Sequence, residues 1–178
     1  LEQFPFSYEF LEEARLYDKV ASLICADQVV GWFQSGSEFG PRALGNRSIL
    51  ANPANSKMKR ILDLHMKHRD RYRPYAPVVL ETYAYQYFDI VGSSPVMMRE
   101  AQVLNDDFPA ITHIDGSARV QTVSKQENER FYQLIQSIKR ISGVPMVLNT
   151  SFNLPGEPIV ESPRDALNSF RNGALEYV

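Results

Sequence analysis

The chain has 178 residues, 44% of them hydrophobic, and a net charge of −2, which suits one globular domain with a substantial core. This charge argues against a nucleic-acid binder that relies on overall positive charge, because such proteins neutralise many phosphates. The single cysteine, Cys25, excludes a disulfide framework and predicts a buried thiol in a reducing, cytoplasmic compartment. No apolar run is long enough to span a membrane, and the first ten residues do not resemble a signal peptide.

The first part of the chain predicts a helix, a strand and a polar loop, in that order. Apolar residues recur at helical spacing over residues 9–24, and residues 29–33 form a short run of β-formers. The loop over residues 38–48 contains glycines, which let a backbone approach a ligand closely. Its candidate binding residues are Arg42, Arg47 and Ser48. A tight structural loop, with an ion pair from Glu38 to an arginine, is the alternative interpretation.

The densest positive charge of the chain lies in residues 57–73. Seven of the nineteen basic residues fall in these seventeen positions. A guanidinium offers a planar fork of donors to phosphate or carboxylate, and an ammonium offers a compact charge; Lys67 and Arg69 supply one of each. The cluster predicts a site for a small anionic ligand. A solvated basic helix end, stabilised by the helix dipole, is the alternative.

A helix and a strand are predicted on either side of this cluster. Asn55 or Ser56 is predicted to cap a helix that runs to about Met66. Pro74 biases the preceding residue toward extended backbone, so Arg73 is expected where the chain enters a strand. Two histidines of this region lack a third imidazole or a nearby cysteine, so they are interpreted as surface residues and no metal site is predicted.

The next part of the chain predicts a strand entered by a polar segment. Residues 78–80 indicate a buried strand, and residues 110–123 end in a second one. Four polar residues occupy alternate positions before that second strand, namely His113, Asp115, Ser117 and Arg119. On an extended chain alternate side chains share one face, so these groups are predicted to converge. The alternative interpretation is that these four residues form one solvent-exposed face of a strand.

The last part of the chain predicts two helices around a central strand. Ser124 and Glu127 match a capping box for a helix that ends before Gly143. Residues 144–148 are continuously apolar, which indicates a strand buried on both faces. Its carboxyl end carries Asn149, Ser151 and Asn153, at the place where open α/β sheets usually bind ligands. A capped helix from residue 162 to about 172 and a short final strand follow.

Four stretches, residues 38–48, 67–77, 112–121 and 149–160, resemble the C-terminal region of the NodU/TobZ-type O-carbamoyltransferases. The resemblance is most specific in Gly-Pro-Arg-Ala-Leu-Gly-Asn-Arg-Ser over residues 40–48 and Asn-Thr-Ser-Phe-Asn at residues 149–153. It implies an α/β, YrdC-like domain with a twisted open mixed sheet, flanking helices and a basic ligand cavity. It also implies that the domain binds ATP and carbamoyl phosphate and forms carbamoyl-adenylate.

The resemblance further implies how the chain is organised. We expect residues 1–178 to be a single domain of a longer two-domain chain, because the sequence does not begin with Met. The missing N-terminal domain would carry the acceptor pocket and Fe²⁺, and it would transfer the carbamoyl group to an acceptor hydroxyl. Mg²⁺ is expected with ATP, although no carboxylate of this chain clearly marks its site. A nucleotide- or RNA-binding module without turnover is the alternative, which the net charge disfavours for RNA. A second alternative is that this domain alone is an inert fragment, because catalysis needs the missing domain to close the cavity.

Site residues follow from the same resemblance. The YrdC-type Lys-x-Arg pair and distant Ser-x-Asn element fall on Lys67, Arg69, Ser151 and Asn153, and Arg73 and Arg119 are implied as further phosphate ligands. We therefore expect the catalytic residues to be Lys67, Arg69 and Arg73. With the residue patterns above, the substrate- and nucleotide-binding candidates are Arg42, Arg47, Ser48, His113, Asp115, Arg119, Asn149, Ser151 and Asn153.

Overall fold

The structure is a computed structural model that describes residues 6–67, 74–173 and 175–178. Its strands are β1 (Val30–Phe33), β2 (Arg47–Ala51), β3 (Ala76–Leu80), β4 (Arg99–Gln102), β5 (Ser117–Val123) and β6 (Met146–Ser151). Its α-helices are α1 (Glu13–Cys25), α2 (Met58–Leu62), α3 (Ala84–Tyr87), α4 (Glu129–Ser142) and α5 (Pro163–Asn172). A π-helical turn, Asp63–Lys67, continues α2, and a 3₁₀ turn, Glu81–Tyr83, precedes α3. None of the helices within these ranges is both long and apolar enough to cross a membrane.

The described strands form one mixed sheet of six, in the order β1-β2-β6-β3-β5-β4. Strands β3 and β5 are parallel, and the other neighbouring pairs are antiparallel. The continuous apolar run at residues 144–148 predicted a central strand, and β6 does lie between β2 and β3. The predicted α/β class, with an open mixed sheet and flanking helices, is confirmed.

Hydrophobic layers cover both faces of the sheet. Neighbouring strand residues point to opposite faces, so Val78 and Val147 pack with α1 and α4, whereas Val79 and Leu148 pack with α2 and α5. Each such fully buried side chain contributes about 1.5 to 3 kcal/mol through removal of apolar surface from water. The apolar faces of the helices and the β-branched residues of the strands therefore account for this layered arrangement.

One edge of the sheet collects the polar stretches of the sequence. Because β6 is antiparallel to β2 and β3, its carboxyl end lies beside the amino ends of those strands. Ser151 pairs with Ser48, and Asn149 lies between Leu50 and Ala76 in the register. Strand β5 is parallel to β3, so its amino end lies at the same edge. We call this region, at the amino ends of β2, β3 and β5 and the carboxyl end of β6, the polar edge.

Two predicted helix starts are wrong because local side-chain hydrogen bonds compete with capping. The Asn55 side chain accepts from the N–H of Lys57 at 2.8 Å, and α2 begins at Met58 without a side-chain cap. The predicted capping box at Ser124 instead forms a turn in which both the N–H and the hydroxyl of Ser124 donate to Glu127. Helix α4 begins only at Glu129, where the preceding asparagine is the cap.

The remaining differences are at element ends and in one missed strand. Helix α1 begins at Glu13, four residues later than predicted, and Cys25 is half-buried in its last turn, where burial raises the pKa of the thiol. The final strand is reduced to a bridge between Val30 and Tyr177. The capping box of α5 at Ser162 is confirmed. Strand β2 was missed, because its polar first residues, predicted as a loop, are buried.

Candidate functional site

Lys67 contacts the Ser-x-Asn element at the carboxyl end of β6. Its ammonium donates to the carbonyl oxygen of Ser151 at 2.7 Å, to Oδ1 of Asn153 at 2.9 Å and to the carbonyl of Asn153 at 3.0 Å. The Ser151 hydroxyl donates to the same Oδ1 at 2.6 Å. The structure thus joins Lys67 to residues 84 and 86 positions away. Lys67 ends the π-helical turn, a geometry that is frequent at functional sites.

The 38–48 loop is built around one carboxylate oxygen. Oε1 of Glu38 lies 2.6 Å from the backbone nitrogen of Leu44, 2.7 Å from that of Asn46 and 3.4 Å from that of Arg47. Backbone N–H groups that converge in this way form a concavity suited to an anion, here occupied by the Glu38 carboxylate. Glu38 forms no ion pair with a described arginine, so the ion pair considered from the sequence is replaced by bonds to backbone.

The two arginines of this loop have different surroundings. Arg47 is 3% exposed, and its guanidinium donates to the carbonyls of Gln34 at 2.6 Å and Ser35 at 2.9 Å. The same group lies 3.7 Å from the centre of the Phe33 ring. Arg42 is half-buried and has no hydrogen bond or ion pair to another described residue. Arg47 therefore holds the loop, whereas the guanidinium of Arg42 makes no such contact with the described residues.

Two buried amides fasten the loop to the sheet. Asn149 on β6 donates to the carbonyl of Ala43, and Gln121 on β5 donates to the carbonyl of Leu44, both at 2.9 Å. Ser48 also takes part, since its hydroxyl accepts from a loop N–H at 3.0 Å. Gln121 was not among the candidates predicted from the sequence, although it continues the alternation of polar residues along β5. The candidates Ser48 and Asn149 thus contact the loop backbone in this structure.

A further amide network joins the loop to the start of α4. Nε2 of Gln34 donates to Oδ1 of Asn46 and to Oδ1 of Asn128, each at 2.9 Å. Asn128 caps α4 by accepting from the N–H of Phe131 at 3.1 Å. These three amides were not recognised from the sequence, because they lie far apart in it and show no periodic pattern.

His113, Asp115 and Ser117 converge, but in a turn rather than on a strand. The N–H of His113 donates to the carbonyl of Ser117 at 2.8 Å, and Gly116 has a φ of +81°. The expectation of an extended segment over residues 113–116 is therefore wrong, and β5 begins at Ser117. The Ser117 hydroxyl lies 3.0 Å from Nδ1 of His113 and donates to Oδ1 of Asp115 at 2.7 Å. Arg119 follows, half-buried, on β5.

Burial and hydrogen bonds set the protonation of this group. Burial lowers the pKa of His113, and Arg119 and Lys59 act in the same direction, while Asp115 and Glu100 oppose it. Hydrogen bonds from the hydroxyl and N–H of Ser117 lower the pKa of Asp115. At neutral pH the turn therefore presents a neutral imidazole near an ionised carboxylate.

Arg69 and Arg73, two of the three catalytic candidates, lie outside the described residues. The basic cavity expected around them stays a prediction for the same reason. Within the described ranges no group of three or more His, Cys, Asp or Glu residues could hold a metal ion.

Comparison with known proteins gives consistent matches. Residues 21–178 match the family model described as Carbamoyltransferase C-terminus. The chain is 38% identical over 194 residues to the protein sll1178 of Synechocystis, covering 96% of this chain and 32% of that protein. It is 43% identical over 166 residues to the nodulation protein NolNO of Sinorhizobium fredii, covering 89% of this chain and 24% of that protein. The chain thus spans a third or less of the length of these curated relatives.

A solved structure shares the fold. Full-length HypF, crystallised in a phosphate- and nucleotide-bound form, superimposes with a TM-score of 0.64 at 16% sequence identity. The match covers 93% of this chain and 20% of that one. At this identity the likeness establishes the arrangement of strands and helices.

Proposed function

Because this chain belongs to the carbamoyltransferase C-terminal family, we propose that it binds ATP and carbamoyl phosphate and forms carbamoyl-adenylate. Water first cleaves carbamoyl phosphate to carbamate and phosphate, and a carbamate oxygen then displaces pyrophosphate from the α-phosphorus of ATP. A further domain of the longer protein would then transfer the carbamoyl group to an acceptor hydroxyl. The phosphate and nucleotide named for the HypF crystal structure support ligands of the same chemical kind here.

The observation that carries this proposal is the contact of Lys67 with Ser151 and Asn153 at the polar edge. The oxygens that the ammonium contacts in these two residues belong to neutral groups. Its charge is thereby fixed in position before a ligand arrives. Preorganised cations stabilise the charge of phosphates and of the transition state without reorganisation at the moment of reaction.

The other candidates divide into direct and indirect roles in this proposal. Arg42 and Arg119, with Arg69 and Arg73, would bind the anionic groups of the two substrates. Arg47, Ser48 and Asn149 contact the backbone of the 38–48 loop, so they would act by shaping it. Magnesium would be held mainly by the phosphates of ATP and would neutralise part of their charge.

Calorimetry with each substrate tests the proposal. We expect the folded chain to bind ATP and carbamoyl phosphate, and to release pyrophosphate slowly when both are present with Mg²⁺. Lys67→Ala should weaken binding of at least one substrate about ten- to hundredfold, because it removes the positive charge that Ser151 and Asn153 hold in place. Lys57→Ala is the matched control, since Lys57 is an exposed lysine at the start of the same helical segment. Heat from neither substrate, in folded and phosphate-free protein, would remove the proposal; equal losses in both variants would indicate a diffuse basic surface.

A further inference from the structure

The hydroxyl of Ser117 fixes which nitrogen of His113 carries a proton. Two hydrogen bonds from Ser117 lower the pKa of Asp115, so this carboxylate is ionised at neutral pH and only accepts hydrogen bonds. The one hydroxyl proton of Ser117 is therefore directed at Asp115, at 2.7 Å. The contact of 3.0 Å to Nδ1 of His113 must then be donated by the imidazole. His113 consequently has its proton on Nδ1.

The other ring nitrogen is left as an acceptor. A neutral imidazole carries one N–H, so Nε2 of His113 presents a lone pair. Nε2 is buried, and no atom of the described residues forms a hydrogen bond with it. Among the described residues, the charged groups around the ring are Asp115 of its own turn, Glu100 of β4, Arg119 of β5 and Lys59 of α2. Buried polar atoms are rarely left without a partner, which points to a ligand atom here.

We propose that Nε2 of His113 accepts a hydrogen bond from an N–H or O–H group of the bound substrate, with Ser117 and Asp115 as positioning residues that fix the acceptor form. This inference rests on the proposed function, because both substrates carry neutral donors. Carbamoyl phosphate has the amide-type NH₂ of its carbamoyl group, and ATP has ribose hydroxyls and an adenine amino group. A fixed acceptor selects for such donors and against anions that carry no proton.

Nitrogen NMR of the imidazoles tests the positioning step without any ligand. The chain has three histidines, so the variants His65→Gln and His68→Gln assign the resonances of His113. We expect a protonated Nδ1 and an unprotonated Nε2 in the parent protein. Ser117→Ala should shift the proton toward Nε2, and Ser117→Thr, which keeps the hydroxyl, should preserve the parent form. A proton on Nε2 in the parent protein would overturn the proposal.

Ligand titrations test the acceptor step. ATP and carbamoyl phosphate are added separately, and sulfate serves as an anion without a proton. We expect one substrate to move the Nε2 resonance of His113 and sulfate to leave it unchanged. His113→Leu should weaken that substrate about five- to tenfold, the usual effect of one lost hydrogen bond, and His113→Gln should lose less because its amide oxygen still accepts. The control His65→Leu, at an exposed position, should bind as the parent does.

The outcomes separate this inference from the proposed function. Binding of a substrate with an unchanged Nε2 resonance, or with equal affinity in His113→Leu, overturns the role of His113 and leaves the proposed function standing. Binding of neither substrate to folded parent protein overturns both. A shifted resonance together with weaker binding in His113→Leu supports both, and the substrate that causes the shift identifies the donor as the carbamoyl NH₂ group or a group of the nucleotide.

Discussion

Replacement of Glu38 by alanine tests whether one carboxylate holds the 38–48 loop in shape. Its Oε1 atom accepts three backbone N–H groups, at 2.6, 2.7 and 3.4 Å. A hydrogen bond to a charged group contributes about 1.5 to 3 kcal/mol, but Glu38 is only half-buried and water can replace part of each bond. We therefore expect Glu38→Ala to lower the free energy of unfolding by about 2 kcal/mol. In a domain of this size that corresponds to a Tm lower by about 4 to 8 °C.

Urea unfolding followed by circular dichroism measures this change, provided that the slope m is unchanged. Glu38→Gln keeps a neutral acceptor oxygen and should lose about 1 kcal/mol. Glu12→Ala is the control, because Glu12 is exposed and its side chain makes no capping hydrogen bond, so its effect should stay within about 0.5 kcal/mol. A Glu38→Ala protein as stable as its parent would refute this account of the loop. Tighter binding of carbamoyl phosphate by Glu38→Ala would mean that the three N–H groups serve the ligand instead.

Three further substitutions or conditions test other parts of the structure. Gly45→Ala should cost about 3 kcal/mol in urea unfolding, because its Cβ would lie 2.1 Å from a ring atom of α4 at a φ of +110°, whereas Gly36→Ala meets open space and should be neutral. Burial lowers the pKa of His113 from its usual value of 6.5, so near and below that pH the unfolded chain binds more protons than the folded chain. The contribution of this residue to the free energy of unfolding should therefore be fully present above pH 6.5 and decrease as the pH falls, which thermal melts detect as a lower Tm. The decrease should be smaller in His113→Gln. Arg73→Ala should weaken carbamoyl phosphate binding about ten- to hundredfold by calorimetry, and Arg71→Ala by less than about threefold.

The sequence predicted those elements whose apolar pattern decides their position. Strand β6 was predicted as central because an uninterrupted apolar run needs cover on both faces. Strand β2 was missed because Arg47 and Ser48 are residues typical of loops. In the structure Arg47 is buried with backbone carbonyls accepting from both terminal nitrogens of its guanidinium, which no local pattern indicates. A buried charge paired with backbone is therefore the main obstacle to predicting this part of the sheet.

The candidate site residues were predicted mainly from the resemblance of sequence motifs to a family, and only partly from the local pattern of residues along the chain. The contact between Lys67 and Ser151 joins residues 84 positions apart, so only the resemblance could place them together. The sequence predicted that His113 and Asp115 converge because alternate side chains of an extended strand share one face. In the structure they converge because Gly116 permits a turn, and the Ser117 hydroxyl contacts both side chains. The alternate polar residues of the sequence thus indicated which side chains meet, and the turn determines how they are arranged.

The loop and the sheet form a single unit, which bears on how the site works. Asn149 and Gln121 lie on strands separated by β3, yet they bind the consecutive carbonyls of Ala43 and Leu44. The loop can take this shape only when β5, β3 and β6 are paired in the observed register. A ligand that binds the 38–48 loop therefore meets a conformation ordered during folding, so little ordering remains to be done on binding. Changes to either amide should weaken ligand binding through the shape of the loop, even if neither side chain touches the ligand.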